Sequence, residues 1–260
     1  MGDINYRPLI EDMTFSYSRL NSYHSCPYRW KLHYLDGYKP GAQFYSSFGS
    51  LMHSILEKYY RGKLRRSEMS SEFLIRFSDE VKGLRPSAKV VESYISAALK
   101  YFQSFEELDL KILGVEQQVF FEVNGIRMTG IIDLIGERDG DIIIVDHKSH
   151  ELKQRSGRAK PTVKDKELDE YLRQLYLYST AIKDQYGKFP SELWFNCYRQ
   201  GVIVKEPFDG NKYNEAVQWA TETYEKICED EDFEANYDYF YCRWICDHNF
   251  RCDVFEEEIG

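Results

Sequence analysis

Residues 130–148, GIIDLIGERDGDIIIVDHK, place two carboxylates and an ammonium at spacings that can do chemistry. Asp133 interrupts an apolar run made by Ile131, Ile132, Leu134 and Ile135. Asp146 ends a second run, Ile142 to Val145, and Lys148 follows it by two residues. Between the runs, Glu137 to Asp141 gives a polar turn with an Asp-Gly pair, a strong hairpin signal. Closing that hairpin can bring both acids and the lysine to one end of a sheet. Carboxylate oxygens are hard ligands suited to Mg²⁺ or Mn²⁺, and a nearby ammonium can offset developing negative charge. Taken alone, the stretch reads equally well as a surface hairpin with solvated acids.

Other side chains extend this set. His53 lies in FYSSFGSLMHSILEKYY (residues 44–60), where Phe48, Leu51, Met52, Ile55, Leu56 and Tyr59 recur at helical spacing from a start near Ser47. Gln174 and Tyr178, four apart in a helix expected over 168–186, share one face. Glu116, in the strand before Asp133, can sit near the site but reads more readily as a solvent-facing strand residue and is left out of the candidate catalytic set. Of six cysteines, Cys242, Cys246 and Cys252 fall within eleven residues, and Cys26 can supply a fourth thiol. Soft thiolates at this density select an iron–sulfur cluster or zinc. Cys197 and Cys228 read as small buried hydrophobes.

The elements that must position these residues follow from periodicity. Ser18 is the expected N-cap of a helix to about Tyr34, interrupted at Cys26-Pro27. Charged helical segments fill 61–105, with a clear amphipathic helix over 90–105. From Lys111 the period changes to two, and three strands separated by Asn124-Gly125 and Asp139-Gly140 make an antiparallel meander. A loop over 149–166 carries Lys153, Arg155, Arg158, Lys160, Lys164 and Lys166; leaving directly from Lys148, it favours contact with backbone phosphates. Two further strands, 192–198 and 202–208, and a helix over 212–230 precede the cysteine-bearing tail.

The chain of 260 residues has 43% hydrophobic residues, enough for a substantial core, and a net charge of -9 that argues against indiscriminate coating of nucleic acid without excluding a local basic groove. The apolar runs are too short to cross a bilayer. The opening residues lack the order of a signal peptide, and Tyr6 stands where a myristoylation signal on Gly2 needs Ser or Thr. A cytoplasmic protein, with no membrane partner, is therefore expected.

The succession FGSLMHSILE, Gly130-Ile131-Ile132-Asp133, Asp146-His147-Lys148 and Gln174-Leu175-Tyr176-Leu177-Tyr178 resembles the PD-(D/E)XK nuclease superfamily, in its RecB-like exonuclease branch. SYSRLNSYHSCPYRW is similar to that branch's opening helix, so the resemblance spans about residues 14–252. It implies a restriction-endonuclease-like α/β core: a mixed central sheet flanked by helices over 111–230, an N-terminal helical region over 14–105, and a cysteine clasp over 231–260 that closes on Cys26, all in a single nuclease domain of residues 1–260. It implies that His53, Asp133, Asp146 and the main-chain carbonyl of His147 hold Mg²⁺ or Mn²⁺, that Lys148 positions or activates the attacking water, and that Gln174 and Tyr178 orient Lys148 and the DNA backbone. AddB- and CRISPR-adaptation-type nucleases of the branch carry a [4Fe-4S] cluster on one early and three late cysteines. This assigns Cys26, Cys242, Cys246 and Cys252 to a cluster, although the late spacing here is C-x3-C-x5-C rather than C-x2-C-x5-C. Zinc on the same cysteines, or with His248 replacing one, is the alternative.

The implied activity is metal-dependent hydrolysis of DNA, as an exonuclease on ends or single strands, in a bacterial or phage-infected cell and in a repair, recombination or adaptation setting. A helicase, annealing or adaptation protein would be a separate chain. The rival readings are a catalytically inactive nucleic-acid-binding or assembly protein on the same fold, an RNA-directed nuclease, and a purely structural metalloprotein whose cysteines are its only functional residues.

Overall fold

Two tight turns set the register of the sheet. Asn124 and Gly125 have φ of +48° and +82°, and Asp139 and Gly140 of +54° and +87°. Two successive left-handed residues make the turn whose twist matches that of the flanking strands, and Asn-Gly or Asp-Gly tolerates it best. The computed structural model, which describes residues 5–259, accordingly folds β1 (Lys111–Val123), β2 (Ile126–Arg138) and β3 (Asp141–Lys148) as an antiparallel meander. Gly2 lies outside the described residues.

β4 (Glu192–Cys197) adds parallel to β3, and β5 (Val202–Pro207) adds antiparallel to β4, giving a five-stranded mixed sheet of order β1-β2-β3-β4-β5. A parallel neighbour needs a long crossover. It contains α7 (Val163–Tyr186), which starts five residues before the position expected from periodicity. The reason is a capping box: Thr162 accepts from Asp165 N while Asp165 reaches back to Thr162 N. Lys164 and Lys166 thus sit on a helix rather than in the loop.

Upstream, α1 (Arg7–Glu11) leads to α2 (Tyr17–Ser25) and α3 (Pro27–Tyr34). Ser16, not Ser18, caps α2, accepting from Arg19 N at 3.1 Å. Cys26 ends α2 and caps α3, with Pro27 in the first turn where its missing N–H costs nothing. α4 (Phe44–Tyr60) begins ahead of Ser47, followed by α5 (Met69–Glu80) and α6 (Ala88–Gln103). α8 (Gly210–Glu229), α9 (Tyr239–Trp244) and α10 (Asp253–Ile259) complete the order.

Strand alternation divides the core. Ile142, Ile144 and Phe195 pack with Leu168, Leu172 and Leu175 of α7 and Ala216 and Ala220 of α8. Ile143, Val145 and Trp194 face the other way, with Leu134, against Tyr60 and Leu108. α4, α5 and α6 form their own cluster around Phe48, Ile55, Phe73 and Phe102. Each such side chain contributes about 1.5–3 kcal/mol when fully buried. Carried to the end of β3, the same period of two sends Asp146 and Lys148 to the α7 face and His147 to the opposite face.

The loop before α7 is closed by Asp165, which accepts from Ser156 N (2.8 Å), Ser156 Oγ (2.7 Å), Thr162 N (2.6 Å) and Thr162 Oγ1 (2.7 Å). These four donors hold its carboxyl well below the usual carboxylate range. Asp165→Ala leaves them without an acceptor, so urea denaturation should show a lower midpoint with an unchanged m-value, and proteolysis should nick first within 156–162.

Candidate active site and cysteine cavity

The registers of the two hairpins line up three carboxylates. Val115 pairs with Leu134 and Gln117 with Ile132, which sets Glu116 opposite Asp133. Leu134 pairs with Val145, so the next position along sets Asp133 beside Asp146. Glu116, Asp133 and Asp146 therefore form one row across β1, β2 and β3. Glu116 has φ of +45°, a left-handed conformation inside a strand that is rare for a residue with a Cβ. It is not a solvent-facing bystander: its Oε1 lies 3.6 Å from His53 Nδ1, and Asp133 Oδ1 lies 3.5 Å from the same nitrogen. Donor atoms of His53, Glu116 and Asp133 all fall within 4.8 Å of one another.

His147 is the hub behind this row. Beyond Val145 the β2–β3 ladder stops, and Asp133 Oδ2 instead accepts from His147 N at 2.6 Å. The His147 carbonyl lies 2.9 Å from His53 Nε2, which donates to it. One peptide segment thus ties α4 to β2. The His147 ring is fixed from the far face, stacked on Tyr60 at 6.2 Å and 3.0 Å from Asn196 Nδ2, which also donates to Tyr101 Oη at 2.7 Å.

On the α7 face, Lys148 Nζ stands 2.8 Å from Asp146 Oδ2 and donates to Gln174 Oε1 at 3.0 Å. Gln174 Nε2 in turn donates to Tyr178 Oη at 3.1 Å. Tyr178 fits only because residue 130 is glycine: a Cβ there would lie 2.3 Å from Tyr178 Cε1. The glycine three before Asp133 and the tyrosine four after Gln174 are two sides of one contact.

Packing acids this closely costs energy unless a cation neutralises them. Burial opposes protonation of His53, but Asp133 and Glu116 outweigh it and raise its pKa to about 10. Burial also works against ionised Asp133, yet His53 and the His147 N–H hold its carboxyl below the usual range. Asp146 moves the other way: burial, reinforced by the Asp133 charge and only partly countered by Lys148, pushes it up. Its Oδ2 is buried without a well-directed hydrogen bond. Two carboxylates and an imidazole within reach of one point, beside an under-satisfied carboxylate oxygen, are the donor chemistry of Mg²⁺ or Mn²⁺.

The cysteines meet elsewhere. Cys26, Cys242, Cys246 and Cys252 line one cavity together with Arg29 and His248. Arg29 N and Asn236 N each donate to Cys26 Sγ at 3.4 Å. Backbone N–H groups of His248, and of Val254 and Phe255, are directed at Cys246 and Cys252. The tail is bound to the N-terminal helices by a two-pronged Arg29–Asp247 pair (2.7 and 2.8 Å) and by Gln43 Nε2 donating to Cys246 O at 2.6 Å. Cys197 and Cys228 are buried apart from this cavity. The basic loop is less available than its composition suggests. Arg155 is held between Glu206 and Asp169 at 2.7 Å each, and Lys164, on α7 rather than in the loop, pairs with Glu167 at 2.6 Å.

A family model of the PD-(D/E)XK nuclease superfamily matches residues 14–253. Among solved structures, the chain is similar to a candidate exonuclease from Eubacterium rectale, with a TM-score of 0.51 at 13% identity, covering 97% of this chain and 91% of that one. At that identity the likeness speaks for the fold, the mixed restriction-endonuclease-like α/β arrangement. A second structure, SSO0001, has a TM-score of 0.29 at 17% identity over 73% of this chain and 80% of that one, too loose a superposition to carry an argument. No curated protein matches the chain. Among the described residues, no helix is long and apolar enough to cross a membrane.

If Glu116 shares the cation with Asp133, Glu116→Gln should weaken Mn²⁺ binding by roughly tenfold or more without altering the circular dichroism spectrum, and Asp133→Asn should do at least as much. Calorimetric titration with MnCl₂ measures both. Equal affinity in wild type and Glu116→Gln would remove Glu116 from the site.

Proposed function

This chain belongs to the PD-(D/E)XK nuclease superfamily, and from that premise we propose that it is a metal-dependent deoxyribonuclease acting as an exonuclease on DNA ends or single strands. The observation that carries the reading is the meeting of Asp133, Asp146 and His53 with the Lys148–Gln174–Tyr178 chain where the β2–β3 ladder stops.

In this reading His53, Glu116, Asp133, Asp146 and the His147 carbonyl surround a divalent cation. When bound, the cation lowers the pKa of a water and withdraws charge from the phosphate. The residues of the chain do the rest. Lys148, tethered between Asp146 and Gln174, presents its ammonium toward the face where the phosphate arrives, holds the attacking water and offsets charge in the transition state. Gln174 fixes the direction of that ammonium and Tyr178 fixes Gln174, so neither needs to touch the reacting atoms. The succession of motifs, which resembles the RecB-like branch, supports DNA as substrate and ends as the point of attack.

We further propose that Cys26, Cys242, Cys246 and Cys252 hold a [4Fe-4S] cluster. Four thiols around one cavity, with backbone N–H groups directed at three of them, suit thiolate ligands, whose negative charge those donors stabilise. His248 lines the same cavity, fully buried, with Nδ1 lacking a partner and Nε2 3.0 Å from His33 Nδ1. That nitrogen suits a hydrogen bond to a cluster sulfur. In this reading the cluster clasps the tail to α2 and α3, away from the row of acids, and is structural.

Lys148→Met should cut Mn²⁺-dependent degradation of an end-labelled oligonucleotide by about a hundredfold or more while leaving Mn²⁺ binding within a few fold. Tight DNA binding by wild type without cleavage would favour an inactive binding protein, and faster cleavage of RNA would overturn the DNA assignment. Anaerobically purified protein should be brown and contain about four irons per chain, and Cys246→Ala should be colourless and melt at a lower temperature. A colourless wild type containing zinc would replace the cluster with a zinc site.

A further inference from the structure

The turn after β4 places an arginine beside the active site. Cys197 stands opposite Lys148 in the parallel pair, and Tyr198 N donates to Lys148 O at 3.2 Å. Arg199, the next residue, therefore sits at the end of the sheet to which β3 delivers Asp146 and Lys148. Its guanidinium lies over the Tyr94 ring, 3.8 Å from the centroid. Tyr94 belongs to α6 and touches Tyr45 of α4 at 5.5 Å, so the arginine rests on an aromatic shelf.

Four half-buried arginines are paired with acids; Arg199, like Arg19, Arg173 and Arg243, is not, and among the described residues it is the one arginine with a buried side-chain nitrogen that lacks a hydrogen-bond partner. Arg29 is paired with Asp247, Arg76 with Glu72 and Glu80, Arg138 with Glu192, and Arg155 with Glu206 and Asp169. Among the described residues no carboxylate lies within ion-pairing distance of Arg199, and its Nε is buried without a hydrogen-bond partner. In a chain with 43 acidic and 34 basic residues, a partly desolvated guanidinium without a counter-charge is an unmet demand for an anion. Burial, and then the Lys148 charge, hold the nearby His150 imidazole below its ordinary pKa, with Glu167 opposing and Arg199 adding to the shift.

We propose that Arg199, held on Tyr94, is a phosphate-binding subsite for a single-stranded DNA segment that crosses the C-terminal ends of β3 and β4 on its way from the acidic row; this rests on the nuclease reading above. A planar guanidinium presents a donor fork that matches two phosphate oxygens, and the ring beneath keeps it from collapsing onto the surface. A single strand suits the place because the neighbouring aromatic shelf can take an unstacked base, which a duplex does not offer. The subsite binds the strand and takes no part in bond cleavage.

The test uses the full chain carrying Lys148→Met, so that the strand is not consumed, and a fluorescein-labelled single-stranded oligonucleotide read by anisotropy across a salt series. Adding Arg199→Ala should weaken binding by about fivefold for every sequence tried. It should also reduce the slope of log K against log salt by about 0.7, one phosphate contact on a single strand. Mn²⁺ affinity should not change. Arg199→Lys, which keeps the charge and loses the fork, should restore the salt slope but not the full affinity; if Arg199→Ala lowers the melting temperature, this variant decides the matter by the same readout. Unchanged affinity and slope in Arg199→Ala, with the parent protein binding DNA, would overturn the subsite alone. A wild type that neither binds nor cleaves DNA would overturn the nuclease reading and the subsite with it.

Discussion

Three carboxylates aligned across adjacent strands are the constraint around which the rest of the structure is arranged. Like charges directly opposite in a sheet repel, and burial makes the repulsion worse. Glu116, Asp133 and Asp146 are tolerated because each meets a compensating group: His53 is shared by the first two, the His147 N–H serves Asp133 as well, and Lys148 serves Asp146. These compensations come from α4 and from the end of β3, so the helical layer and the sheet are coupled through charge as well as through packing. The strained backbone of Glu116 belongs to the same account, since strain persists where surrounding structure over-determines it.

Rigidity is supplied from behind. The His147 ring, locked by Tyr60 and Asn196 on the far face of the sheet, fixes a residue whose backbone N–H and C=O both point into the site. On the near face the Gly130–Tyr178 contact fixes the chain from Tyr178 through Gln174 to Lys148. Neither arrangement leaves the site much freedom to relax. The cysteine tail lines a separate cavity, gripping α3 through Arg29–Asp247 and bringing Cys242, Cys246 and Cys252 to the same cavity as Cys26.

Much of this was legible in the sequence, and more than a reading of single strands extracts. The Asn124-Gly125 turn alone pairs Val123 with Ile126, and counting back from it puts Glu116 opposite Asp133. The Asp139-Gly140 turn pairs Arg138 with Asp141, and the same count puts Asp133 beside Asp146. Local alternation does not place Glu116 in the row, because alternation treats each strand by itself, while register belongs to the pair. The early start of α7 was likewise written in Thr162-Val163-Lys164-Asp165, a capping signal that hydrophobic periodicity does not detect because the first turn of that helix is polar.

The α/β order, the meander with its two turns, and the residue types able to hold a cation can be read along the chain, because these depend on short-range backbone preference and on a period of two. Folding adds what no stretch of chain carries: His53 reaches across to the His147 carbonyl, Asn196 and Tyr60 lock the ring behind it, Arg155 is consumed by Glu206 and Asp169, and Arg199 is left without an acid. Those outcomes depend on which side chains from distant segments arrive within a few ångströms of one another. Charge pairing falls steeply over that distance once water is excluded, and no periodicity encodes it.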